Sequence, residues 1–170
     1  DSWHIATANT DGSDLQDLYG GNPELGEVPT APLWSPDGQK IMFAVNYTPK
    51  GASRDTLWER LYLMNRDGSN RVEIGNFERS TNFFVLNHYV YGGWSPDSKT
   101  FIYGYYQTLK AGDSRREFFK ADLKGKPVSL NPESAPSYDN VLFMNDGRLL
   151  MLRADGILLI ADQDGQNPEL

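Results

Sequence analysis

Trp34-Ser35-Pro36-Asp37-Gly38-Gln39-Lys40-Ile41-Met42-Phe43 returns as Trp94-Ser95-Pro96-Asp97-Ser98-Lys99-Thr100-Phe101-Ile102-Tyr103 and, more loosely, as Phe143-Met144-Asn145-Asp146-Gly147-Arg148-Leu149-Leu150-Met151-Leu152. Each copy sets an aromatic residue before a Pro-Asp-Gly-type turn and a β-branched, aromatic or Leu/Met run after it, which is the pattern of a hairpin. A hairpin that recurs predicts a repeat fold.

A second hairpin phrase alternates with the first. Trp3 to Ala8 is followed by Asn9-Thr10-Asp11-Gly12-Ser13 and a return strand from Asp14 to Tyr19. The phrase recurs at Leu61 to Asn70 with a return over Arg71 to Ile74, and in variants at 118–126 and 157–166. Gly suits these turns because short hairpin loops place a residue at positive φ, a region that Asp and Asn also tolerate. Spacings of 56 residues from Gly12 to Gly68, 57 from Gly68 to Gly125 and 60 from Trp34 to Trp94 fit propeller blades of four strands each better than a sandwich.

These phrases resemble the TolB-type, WD40-like β-propeller repeat: a strand, Trp-Ser-Pro-Asp-Gly, an apolar strand, then an aromatic-rich strand ending in Asp-Gly-Ser or similar. Residues 34–43, 61–70 and 94–103 match closely, and 118–126, 143–152 and 157–166 loosely. The resemblance implies an all-β partial propeller. Its blades run inner strand A, apolar strand B, aromatic-rich strand C and short polar strand D. Blade one is expected over 31–75, blade two over 90–131 and blade three over 140–170, with residues 1–20 supplying only strands C and D of a half blade. About three and a half blades fall short of the roughly four to eight of a closed ring. Further chain, another subunit or an unusual closure would complete it, since uncovered edges are a liability. Helix is hardly expected, with at most a turn near 56–60. Trp34, Trp94 and Phe143 are expected at equivalent places between blades, with Ile41, Phe43, Phe101, Tyr103, Leu150 and Leu152 turned into the interfaces.

Propeller connectivity sorts the loops by face. The tight Asp-Gly turns are all assigned to the A–B and C–D side, with Asp11, Asp14, Asp37, Asp67, Asp97, Asp146, Asp162 and Asp164. The B–C and D–A side receives three long insertions, 47–59, 76–90 and 105–117. There Lys50, Arg54, Arg79, Lys110, Arg115 and Arg116 are interleaved with Trp58, Phe77, Phe83, Phe84, His88 and Tyr89. Long loops carry function, and Arg and aromatic residues are enriched at binding hot spots. The partner-binding candidates are therefore Arg54, Trp58, Phe77, Arg79, Phe83, Phe84, His88, Tyr89, Lys110, Arg115 and Arg116. The competing reading is a solvated set of loops whose aromatics pack over the blade edges.

Chemistry is sparse. Sixteen Lys and Arg against 23 Asp and Glu leave a net charge of −7, which argues against nucleic acid as a partner. The absence of cysteine excludes disulfides, thiolate metal sites and cysteine nucleophiles. Asp162 to Asn167 and Asn65 to Asn70 have the oxygen spacing of a calcium loop but no closing Glu, so hairpin service explains them. His4 and His88 lack a ligand pair at short spacing and are read as structural. There is no Gly-x-Ser-x-Gly elbow or phosphate loop, and Ser35 and Ser95 belong to the repeat turns. No apolar run approaches the ~18 residues of a membrane span, and the opening Asp1-Ser2-Trp3 reads as that of a mature or trimmed chain.

The expectation is a non-catalytic scaffold or accessory subunit without cofactor or metal. It is periplasmic or extracellular by its resemblance, and binds a larger, membrane-associated assembly through long loops and open blade edges. Its partners are other protein subunits or further chain. The alternative is a piece of a propeller enzyme, such as the gating propeller of a prolyl-oligopeptidase-type serine peptidase or a carbohydrate-active propeller protein.

Overall fold

The computed structural model describes residues 2–52, 57–79, 93–108, 114–131 and 137–170, with the backbone alone for 78–79, 105–108 and 114–115. Among the described residues twelve strands make four antiparallel meanders. The first pairs β1 (His4–Thr7) with β2 (Gln16–Gly20). The second runs β3 (Val28–Trp34), β4 (Lys40–Tyr47), β5 (Leu57–Asn65) and β6 (Val72–Arg79). The third holds β7 (Thr100–Thr108), β8 (Ser114–Asp122) and β9 (Pro127–Ser129), and the fourth β10 (Tyr138–Phe143), β11 (Leu149–Arg153) and β12 (Leu158–Ala161). Single bridges, Trp94 to Phe101 and Glu169 to Ile160, add a fourth position to each of the last two sheets. Among the described residues the only helix is a 3-10 turn, Pro23–Leu25. Asn22 opens it by accepting the Glu24 N–H, and Gly26 closes it in the left-handed region. The fold is all-β and built from propeller-type blades.

The chain divides into two compact units. In the first, β1–β2 lies against the four-stranded sheet, where Ile5 joins Ile41, Phe43, Val45 and Met64, with Leu18, Tyr19 and Tyr62 at the margin. In this sheet β4 is buried on both faces, since Met42 and Ala44 are as covered as Ile41, Phe43 and Val45. This is why it reads as a continuous apolar run rather than an alternation. In the second unit, Ile102, Phe118 and Leu130 pack with Tyr138, Val141, Leu149, Met151, Leu159 and Ala161. The Phe118 ring fills the place a Cβ at Gly104 would take, 2.8 Å away, and the two residues pair directly across β7 and β8.

The turns explain their own sequences. Ser95 is buried, its hydroxyl 2.7 Å from the Asp97 carboxylate while it accepts the Thr100 N–H. Ser35 repeats the contact to Asp37 at 2.6 Å. In the C–D turns, Asp11 and Asp67 accept the N–H groups and hydroxyls of Ser13 and Ser69. Those hydroxyls first, then the N–H groups, hold both carboxyls below their ordinary range. Asp and Asn suit such turns because their short side chains bond backbone two residues on.

Four expectations are corrected. Residues 57–60 are extended within β5, paired to β4 and β6, not a turn. The insertions are shorter than expected: β5 begins at Leu57, β6 continues to Arg79, β7 reaches Thr108 and β8 starts at Ser114. Residues 57–59, 76–79, 105–108 and 114–117 therefore belong to strands, because charged residues are admissible wherever one face of a hairpin meets solvent. In the third copy Leu149 and Met151 are buried, while Leu150 and Leu152 are only half-buried. Trp34 pairs with Ile41 and Trp94 with Phe101, but Phe143 pairs with Leu149, one residue sooner. A one-residue slip exchanges the two faces of a strand. Finally, an Asp-Gly turn also joins β11 to β12 at Asp155-Gly156, closed by the Arg153 N–H on the Ile157 carbonyl. It is a B–C turn, so such turns are not confined to one end of the blades.

Candidate functional site

The densest polar arrangement of the first unit lies where the two-stranded sheet meets β3–β6. Register fixes which side chains share that face: Ile41 opposes Met64, Phe43 opposes Tyr62, Val45 opposes Arg60 and Tyr47 opposes Trp58. The lower half of the face is apolar. On the upper half, Glu27 is only 8% exposed as the chain enters β3. Its carboxylate accepts the Tyr19 hydroxyl at 2.8 Å, the Asn22 N–H at 2.9 Å and the Arg60 guanidinium at 3.2 Å. A buried carboxylate requires this degree of compensation. Arg60 also stacks on the Tyr47 ring, 3.8 Å from its centroid, and lies 3.8 Å from Glu73. Tyr47 donates to the Asn76 side-chain carbonyl at 2.9 Å. Arg71 sits over Tyr19 and Tyr62 at 4.7 and 5.5 Å. Burial first, then the hydrogen bond and charge of Glu27, push the Tyr19 phenol well above its ordinary range.

A second polar chain runs along β1 and β2. Ser2 Oγ lies 2.7 Å from His4 Nε2, and His4 Nδ1 lies 2.6 Å from Asp17. The order is that of a hydroxyl, imidazole and carboxylate relay, yet the His4 and Asp17 side chains are 41% and 58% exposed. A working relay needs preorganised oxyanion donors and water held off. The sequence spacing supplies another explanation. His4 and Asp17 stand 56 residues before Arg60 and Glu73, so they are the repeat's cross-strand polar pair, joined by a hydrogen bond. Among the described residues no group of three or more His, Cys, Asp or Glu is placed to hold a metal ion.

Of the partner-binding candidates, Trp58 lies in β5 with its ring 6.5 Å from Tyr47. Phe77 lies in β6 opposite Glu59, on the other face of the sheet, with its ring folded onto Gly75. Arg79 ends β6 opposite Leu57, and Arg115 and Arg116 lie in β8 opposite Gln107 and Tyr106. The Arg116 guanidinium reaches the Asp139 carbonyl and its carboxylate, the latter at 3.3 Å, tying β8 to β10. Arg54, Phe83, Phe84, His88, Tyr89 and Lys110 lie outside the described residues. Trp58 is thus brought to Tyr47 and Arg60, whereas Phe77 is separated from it by the sheet. Glu27, Tyr19 and Asn76 were missed: a lone acid before a strand carries no signal, because its partners come from two other strands and the Asn22 backbone.

No family model matches the chain, and no curated protein matches it. Solved structures do. A prolyl endopeptidase is similar at 16% identity and a TM-score of 0.62, over 98% of this chain and 25% of that one. The AtxE2 isopeptidase is similar at 17% identity and a TM-score of 0.50, over 71% of this chain and 19% of that one. A putative TolB from Agrobacterium tumefaciens matches at 15% identity and a TM-score of 0.44, over 92% of this chain and 64% of that one. The chain thus spans a quarter or less of the length of the two peptidases it matches. At these identities the likeness is one of fold, the propeller class. Among the described residues no helix is long and apolar enough to cross a membrane.

Proposed function

We propose that this chain is a non-catalytic propeller arc that binds protein in an extracytoplasmic assembly, one held at a membrane through its protein partners. The observation that supports it is the far end of the β4–β5 hairpin, where the half-buried Trp58 and Arg60 both adjoin the buried Tyr47 ring on paired strands, Arg60 over its face and Trp58 tilted to it at 6.5 Å. Aromatic and Arg side chains held by strands lose little freedom on binding, which is what makes an anchor effective. The test is a photo-crosslinking residue at Trp58, compared with one at Ser69 at the opposite end of the same sheet, in an extract of the source cells. One defined protein crosslinked from position 58 and none from 69 is the expected result. Equal yield at both positions, or none at 58, overturns the reading.

The second reading is that the chain is part of a peptidase's gating propeller, favoured by the two peptidase structures of similar fold. The complete gene product would then hydrolyse a proline-containing peptide and take a serine-reactive fluorophosphonate outside residues 1–170. A complete product that is unlabelled and inactive removes that reading.

A further inference from the structure

Six Asp-Gly pairs stand in the turns of this chain: Asp11-Gly12, Asp37-Gly38, Asp67-Gly68, Asp146-Gly147, Asp155-Gly156 and Asp164-Gly165. Each carries a latent reaction. The glycine nitrogen can add to the carboxyl carbon of the aspartate before it and close a five-membered succinimide, and glycine permits this because no side chain shields the approach. All six glycines lie at positive φ, from 66° at Gly38 to 87° at Gly147. The carboxyl side of the reaction does not separate the sites. Asp37 accepts the Ser35 hydroxyl at 2.6 Å, Asp11 and Asp67 accept those of Ser13 and Ser69, and Asp146, Asp155 and Asp164 meet Arg148, Arg153 and Lys120.

The amide side does. The N–H groups of Gly12, Gly68, Gly147, Gly156 and Gly165 donate to the carbonyls of Asn9, Asn65, Met144, Arg153 and Asp162 at 2.8–3.0 Å. A nitrogen held in this way gives up its bond before it can attack. The Gly38 N–H has no hydrogen-bond partner among the described residues. The second copy of the phrase has Ser98 where the first has Gly38, at φ 60° and with its N–H on the Ser95 carbonyl at 2.9 Å. An independent observation concerns room to move, since ring closure distorts the turn and distortion is easiest where contacts are few. Trp34, at the head of the first copy, is 44% exposed, whereas Trp94 in the same place is 7% exposed. Asp37 itself is exposed, so water has access to a closed ring, and a Cβ built on Gly38 would meet nothing within 4 Å.

We propose that Asp37-Gly38 is the chain's foremost site of spontaneous modification, converting to isoaspartate through a succinimide. The Gly38 nitrogen adds to Asp37 Cγ, and the amide proton and the carboxyl hydroxyl leave together as water. Water then reopens the ring. Cleavage between Gly38 N and Asp37 Cγ restores aspartate, whereas cleavage between Gly38 N and the former main-chain carbonyl leaves the peptide running through Cβ and Cγ. The product carries one more main-chain atom within the turn that sets Trp34 opposite Ile41. The inference stands apart from the propeller-arc reading.

The test incubates the 170-residue chain at neutral pH, measures isoaspartate with an isoaspartyl O-methyltransferase and labelled S-adenosylmethionine, and locates it by peptide mapping. One net backbone hydrogen bond corresponds to roughly two- to tenfold in rate, so residue 37 is expected to convert faster by that factor than each of the other five sites. In denaturant, where the turns are lost, the six rates are expected to converge. Gly38→Ser, which copies Ser98, is expected to abolish conversion at residue 37 and leave the other sites unchanged. The comparison within the unsubstituted chain does not depend on how that variant folds. Equal rates at the six sites of the folded chain, a faster site elsewhere, or a lead at residue 37 that persists in denaturant overturns the proposal. Any of these results leaves the Trp58 crosslinking outcome untouched, so the two readings fail separately.

Discussion

Two sheet-to-sheet interfaces in this chain solve the same packing problem with different chemistry. In the second unit β7–β9 meets β10–β12 through an apolar layer centred on Phe118, Val141, Leu149 and Met151, with the polar contacts of Arg116 to Asp139 and Lys120 to Asp164 beside it. In the first unit the apolar layer is smaller, and Glu27, Arg60, Tyr19 and Tyr47 continue it as a polar and aromatic seam. A sheet with two strands has less apolar surface to offer than one with three or four, and the seam gives the rest of the junction a fixed geometry. Hydrophobic contact is tolerant of small shifts, whereas a carboxylate shared by three donors is not.

Breaking the apolar interface has the largest expected effect. Phe118→Ala removes a ring with no solvent exposure and is expected to cost about 3–5 kcal/mol. In denaturant unfolding with residue-resolved amide exchange, the loss falls on β7–β12. An equal loss over β1–β6 would show that the two cores are not independent.

The seam responds less. Glu27→Ala leaves Arg60 without its buried partner and is expected to cost about 2 kcal/mol, below the usual figure for a broken buried pair because the Arg60 side chain keeps 24% exposure. The same exchange measurement is expected to show the loss over β1–β2 first. If Glu27→Ala matches Phe118→Ala in magnitude, the seam is the stronger junction and the comparison reverses.

The smallest effect sharpens the comparison through pH. The Tyr19 phenol is raised in the folded chain, so its contribution is fully present below the unfolded value near pH 10. It is lost as pH rises from there through the folded value. Alkaline unfolding of the first unit is expected to shift upward in Tyr19→Phe, with the second unit unaffected. An unchanged alkaline midpoint would show that Tyr19 does not govern it.

The repeat phrases made the fold legible before any coordinates, because turn chemistry is local: Ser35, Asp37, Ser95 and Asp97 bond within their own few residues. The third copy shows the limit. Its Asp-Gly aligns with the others, but Phe143 pairs one residue sooner, and parity alone exchanges Leu150 and Leu152 for Leu149 and Met151. Among the partner-binding candidates, composition located aromatic and cationic residues but not their setting. Trp58 and Phe77 read as one loop cluster and prove to lie on opposite faces of a single sheet.

What the amino-acid sequence determined by itself was the all-β class, the hairpin repeat and the half blade, since each follows from local turns and alternation with a short reach along the chain. Only the tertiary structure decided that Glu27 meets Tyr19 and Arg60, and that Trp34 is left open where Trp94 is covered. These depend on which sheets are stacked, and burial is a property of the neighbours rather than of the residue.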